Sequence, residues 1–164
     1  MRSTLNLPQR SGESPETTDR LPHSQLTQHG PDHVIDKLHK WCFSLPNVTD
    51  AKSGVSVPGS HALVIRDGVE CNDAAFMVGR EFAHIHPSPD NGSMHVQLPR
   101  EAALEVIEKG WGESHYLVTQ GFRPLGLVLV FSPRDDEELE AIKSIVGKSY
   151  EYAIGATSPT QKEN

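Results

Sequence analysis

The hydrophobic positions follow two rhythms. Beyond Asp32, the residues Val34, Ile35, Leu38, Trp41, Cys42 and Leu45 recur at spacings of three and four, the apolar stripe of a helix. Asp32 suits its N-cap, and Pro46 stops it. A second helix starts at Pro99, carries Ala103, Leu104 and Ile107, and ends at Gly110, with the proline and glycine in their favoured places. A third carries Leu139, Ile142, Val146, Tyr150 and Ala153 behind Ser132-Pro133-Arg134-Asp135, which has the cap, proline and acid of a first turn. Shorter stretches alternate or run apolar: Val55 and Val57, His61–Ile65, Ala74–Val78, Glu81–His86, Ser93–Leu98 and Leu127–Phe131. These read as strands, with Gly79-Arg80 as a two-residue turn. The pattern predicts an α+β fold, a mostly antiparallel sheet with helices packed on one face.

The ends have no such rhythm. Residues 1–31 contain no Val, Ile, Phe, Trp or Tyr, too little apolar surface to offset chain entropy, and are expected to form a disordered arm. Residues 32–155 are expected to form one domain, and 156–164 a flexible tail. No apolar stretch has the length of a secretory signal or a membrane span, so a cytoplasmic location with no membrane partner is expected. Cys42 and Cys71 are the only cysteines, expected to stay reduced and without function.

Charge then narrows the function classes. Lys and Arg number 15 against 22 Asp and Glu, a net charge of −7, which argues against nucleic acid as a partner. There is no phosphate-binding loop and no glycine-rich dinucleotide fingerprint. The unusual feature is nine histidines. His84 and His86 share one face of their strand, and His95 takes the matching face of the next. If the two strands form a hairpin, Ile85 pairs with Met94, Ala83 with Val96, and His84 with His95. A one-residue slip would bury the histidines beneath the helices and expose the Met-Val-Leu stripe, so the pattern resists it.

Three converging imidazoles suit a divalent transition metal bound by His84, His86 and His95. They equally suit acid–base work on a small-molecule substrate, with His84 or His95 as base. A histidine-rich solvated face remains the third reading, and would make the chain a non-catalytic binding module whose arm recruits a partner. After the second helix, Glu113 could orient a histidine or serve as base, and His115 could add a fourth imidazole. Trp111, Gln97 and Arg80 are candidate substrate contacts. His23, His29, His33 and His39 are expected to be solvated, and the face of His61 is open.

The runs GREFAHIHP, GSMHVQLP, EKGWGESHYL and FSPRDDEELEAI resemble the small luciferase-like domain shared by fungal luciferases and many bacterial proteins. The likeness covers about residues 34–154, and the closing helix is similar in layout to YjbR-type α+β domains. It implies an oxygenase-type enzyme: in the fungal luciferases, dioxygen attacks a hydroxylated pyrone and light follows. The positions matching the shared motif are His84, His86, His95, Trp111, Glu113 and His115. On this resemblance the expected substrate is a small phenolic or enolic molecule, with dioxygen as co-substrate.

Overall fold

The computed structural model describes residues 5–155. In chain order the elements are α1 (Asp32–Cys42), β1 (Val48–Lys52), β2 (His61–Ile65), β3 (Glu81–Ile85), β4 (Met94–Gln97), α2 (Arg100–Glu108), β5 (Gly112–Ser114), α3 (Tyr116–Thr119), β6 (Leu127–Val130) and α4 (Asp136–Ala153). The strands form one six-stranded sheet in the order β1-β2-β3-β4-β6-β5, every pairing antiparallel. The fold is α+β, as the periodicity predicts.

Alternation along the strands builds the core. Leu63, Ala83, Ile85, Met94, Val96, Val128 and Val130 are fully buried, and they share one apolar cluster with Leu38 of α1, Ala103 and Val106 of α2, and Ile142 and Ile145 of α4. Each large aliphatic side chain removed from water there contributes about 1.5–3 kcal/mol. The expected hairpin register holds: Ile85 faces Met94, His84 faces His95 and Ala83 faces Val96. Putting the apolar sets under the helices therefore puts the imidazoles on the opposite face.

One irregularity matters for that face. Leu63 pairs with Ala83 but Val64 pairs with Glu81, so Phe82 is an extra residue in β3. Such a bulge re-aims the side chains beside it. Phe82 turns toward the helices, its ring 6.2 Å from that of Tyr150 on α4. Glu81 is carried to the histidine face, where strict alternation would have kept it among the apolar set.

Local chemistry corrects several expectations. Ala74–Val78 is not a strand: Asp73–Ala75 form a single 3-10 turn, with Asn72 Oδ1 accepting from Ala74 N at 3.2 Å. Val55 and Val57 lie in a loop. The N-cap of α1 is Pro31, not Asp32, and α4 is capped by Asp135, whose carboxylate accepts from Glu138 N at 2.8 Å.

The larger correction concerns the expected disordered arm. Residues 5–31 are ordered as a strap that runs from α2 across to the sheet face opposite the helices. The amides of Leu5 and Leu7 donate to the Glu105 carboxylate, each at 2.8 Å. Trp111 Nε1 donates to Pro8 O at 2.7 Å, and Arg10 N to Lys109 O at 2.9 Å. Further along, Gln25 N donates to Asp90, Ser132 N donates to Gln25 Oε1, and Gly30 N donates to Ser132 Oγ. Leu7, Arg10, His23 and Gln25 are all buried. The strap holds by polar contacts, which hydrophobic patterning does not register. Residues 1–4 of that arm and the expected tail 156–164 lie outside the described residues.

Trp111→Phe tests this attachment. Removing the donor leaves the Pro8 carbonyl unpaired and should cost about 1–2 kcal/mol in urea unfolding, with faster hydrogen exchange at the Arg10 amide.

Candidate functional site

Five imidazoles meet on the face beneath the strap. The His84 and His95 rings are 4.8 Å apart, His86 lies 4.4 Å and His115 4.3 Å from His95, and His23 lies 5.2 Å from His115. All five are buried. They form one side of a cavity of about 400 Å³, whose apolar walls include Leu21, Val55, Val57, Met77, Leu117 and Leu127, with Arg123 at its edge.

Each ring is fixed by its hydrogen bonds, and these define where the protons sit. Ser93 Oγ donates to Asp90 Oδ1 at 2.7 Å, so it accepts from His86 Nδ1 at 2.9 Å; Asp90 Oδ2 lies 3.1 Å from the same nitrogen. His86 Nε2 is left as a lone pair. His95 Nε2 donates to the His23 carbonyl at 2.9 Å. His84 Nδ1 donates to Glu81 Oε2 at 2.7 Å, while Ser53 Oγ and Gly54 N donate to the same carboxylate. His23 Nδ1 accepts from Tyr116 N at 3.1 Å, so its Nε2–H donates to Glu113 Oε1 at 3.0 Å. His115 Nδ1 accepts from Leu117 N at 3.1 Å, which places its proton on Nε2.

Burial sets the electrostatics. It holds His95 well below the usual imidazole range, reinforced by the neighbouring rings. It lowers His84 as well, although the Glu81 hydrogen bond pulls the other way. His115 is lowered to about 4, by burial first and then by its neighbours His23, His84, Arg123 and His86. The carboxylates behave oppositely. Burial alone would raise Glu81, Asp90 and Glu113, but their histidine, hydroxyl and amide donors outweigh it and all three are lowered.

His84, His86, His95 and His115 thus lie together as the sequence proposes. Glu113 reaches the cluster only through His23. The outer nitrogens of His84 and His95 are spent on Glu81 and the His23 carbonyl, and their inner nitrogens, Nε2 and Nδ1, face each other at 2.9 Å. Trp111 is part of the apolar core, and Gln97 at the end of β4 lies outside the cavity lining. Arg80 donates to the carbonyls of Ile65, Arg66 and Val69, a backbone tie rather than a substrate contact. The sequence reading missed His23, expected to be solvated, together with Glu81, Asp90, Ser93 and Arg123. Of the other histidines expected in solvent, His33 is exposed, whereas His29 is half-buried against Asp90 and His39 half-buried against His61. Cys42 and Cys71 are free thiols, and burial pushes Cys42 up to about 12.

Residues 79–149 match the Luciferase domain family model. Over these residues the chain is similar to luciferase domains. The matched span runs from the β3 bulge into α4 and contains every imidazole of the cavity except His23. Among curated relatives, luciferases of Armillaria gallica and Armillaria ostoyae are each 27% identical over 164 residues, covering 90% of this chain and 61% of the relative. The luciferase of Neonothopanus nambi is 31% identical over 86 residues, 51% of this chain and 32% of the relative. The chain therefore spans about three fifths of the length of the two Armillaria relatives. No solved structure matches it significantly. Among the described residues, no helix is long and apolar enough to cross a membrane.

Two sets of three imidazoles offer ring nitrogens within 4.8 Å of one another: His84, His86 and His95, and His23, His95 and His115. The depressed proton affinity of His115 has a measurable consequence. His115 takes up a proton near 6.5 when unfolded but only near about 4 when folded. Stability is therefore complete above pH about 6.5 and falls as the pH drops toward 4, because the unfolded chain binds the proton first. The His115 contribution is on the order of 3 kcal/mol. His115→Gln should flatten the slope of urea-unfolding free energy across that window.

Proposed function

We propose that this luciferase-like domain is an oxygenase-type enzyme that acts on a small phenolic or enolic molecule with dioxygen as co-substrate. The observation that carries this reading is the polarity of the cavity. Its imidazole side offers the His86 Nε2 lone pair together with His115 Nε2–H, a donor that stays neutral at physiological pH. Arg123 adds a fixed positive charge, its guanidinium held by a donation to Met77 O at 3.1 Å. A lone pair beside a donor and a cation favours a hydroxyl that becomes an oxyanion. The enolate or phenolate so held is the electron-rich form that reacts with dioxygen. Apolar walls exclude water around it, and about 400 Å³ suits a molecule of one or two rings.

The name luciferase on the fungal relatives supports the same class of chemistry. A flat, solvated histidine face would have favoured a binding module; a buried concavity with assigned protons favours chemistry.

The test is oxygen uptake, with light emission recorded in parallel, on hydroxylated pyrones and catechols. His115→Ala should lower kcat by about 10²–10³-fold, the usual effect of losing one oxyanion donor. Arg123→Gln should chiefly raise KM. Equal rates for wild type and His115→Ala, or no uptake on any of these substrates, would overturn the reading.

A further inference from the structure

The protons on the cavity side leave an unresolved contact. His84 Nδ1–H points to the Glu81 carboxylate and His95 Nε2–H points to the His23 carbonyl, so each ring has used its proton on its outer nitrogen. The inner nitrogens, His84 Nε2 and His95 Nδ1, then face each other as two lone pairs only 2.9 Å apart. Two neutral imidazoles cannot supply a hydrogen bond there. An added proton would relieve the repulsion, but it would leave a charged imidazolium in a buried site.

A metal ion relieves it without a proton. We infer that His84 Nε2, His86 Nε2 and His95 Nδ1 bind one divalent first-row transition-metal ion, whose open positions face the cavity. Nitrogens about 2.1 Å from one metal at a right angle are roughly 3 Å from each other, and the observed separation is 2.9 Å. The second observation is the outer shell. Histidine ligands donate their other N–H to a carboxylate or a backbone carbonyl, which fixes the ring and strengthens the ligand. Here His84 has Glu81, His86 has Asp90 with Ser93, and His95 has the His23 carbonyl. All three follow the rule.

The rival set fails on the same criterion. His23 and His115 each accept a backbone N–H at Nδ1, so their protons sit on Nε2 and neither presents a lone pair inward. Three neutral nitrogens and no thiolate suit an ion such as iron(II), cobalt(II), nickel(II) or zinc(II) rather than magnesium or calcium. With the ion bound, His86 Nε2 is a ligand and an open position of the ion takes its place as the partner of the substrate oxygen; that part in turnover rests on the oxygenase reading above, and the binding does not.

Cobalt(II) is the probe, because its visible absorption reports binding directly. Untagged protein, stripped with chelator and dialysed, should bind one equivalent with sub-micromolar Kd by calorimetry, and its Tm should rise with added cobalt. His86→Ala should weaken binding at least 100-fold, and Glu81→Gln should weaken it about 10–100-fold. His115→Ala should leave the affinity within about threefold, since that ring offers no lone pair. Circular dichroism verifies that each variant is folded, and the wild-type Tm shift stands independently of the variants. Binding of less than about a tenth of an equivalent by wild type at micromolar cobalt, equal affinity for His86→Ala, or loss of binding in His115→Ala would each overturn the site. Tight cobalt binding with no turnover overturns the oxygenase reading and leaves the metal site standing. Full turnover by stripped protein overturns the metal's part in the reaction.

Discussion

The hydrogen bond between His84 Nδ1 and Glu81 Oε2, 2.7 Å long and buried on both sides, is the constraint on which the histidine face depends. It exists because β3 carries one residue too many. Were Phe82 regularly paired instead of bulged, Glu81 would share a face with Ala83 and Ile85 and would bury a carboxylate in the core, an expensive placement. With the bulge, Phe82 fills the core instead and the carboxylate reaches the imidazoles. The same carboxylate holds Ser53 and Gly54, which leads the chain into the loop bearing Val55 and Val57. One bulge thus joins a wall of the cavity to the ring that orders the cluster.

From Glu81 the order passes ring by ring. The fixed proton on His84 sets the lone pair that faces His95, and the His23 carbonyl sets the other. His86 is oriented separately, by Asp90 and Ser93 in the loop between β3 and β4. The outcome is a set of imidazoles that differ in role although they are identical in composition. Three turn lone pairs inward, while His115 turns a proton inward. Backbone amides at the start of α3 create that difference, since Leu117 N occupies His115 Nδ1 and Tyr116 N occupies His23 Nδ1.

Much of this was legible in the sequence because it follows from period-two alternation. Met94, Val96 and Leu98 specify a buried face, and His95 must oppose it; the register with His84 follows from the same constraint. The helices were legible for the equivalent reason at period 3.6. What escaped was whatever breaks the period or uses polar burial. Glu81 was hidden by the bulge, which nothing in the run GREFAHIH marks. His23 was hidden because the strap has few apolar residues, and its order comes from backbone hydrogen bonds to Glu105, Asp90 and Ser132. β5 and α3, at three and four residues, are too short to display a period. Trp111 and Arg80 were read as substrate contacts because large or charged residues near a motif attract that reading. Their partners prove to be backbone carbonyls.

The strap has a further consequence. It covers the imidazoles from outside, yet Leu7 is its only buried leucine among the described residues. Its attachment is chiefly a series of separate hydrogen bonds, each contributing about 1 kcal/mol, with Leu5 and Leu7 its small share of the apolar core. The cavity therefore has one boundary that can part from the domain while the sheet and α4 stay packed. A molecule sized for the cavity has a way in that breaks hydrogen bonds and leaves the core intact. Leu21, Pro22 and His23 of this segment, whose sequence looks least like structure, are themselves part of the cavity wall.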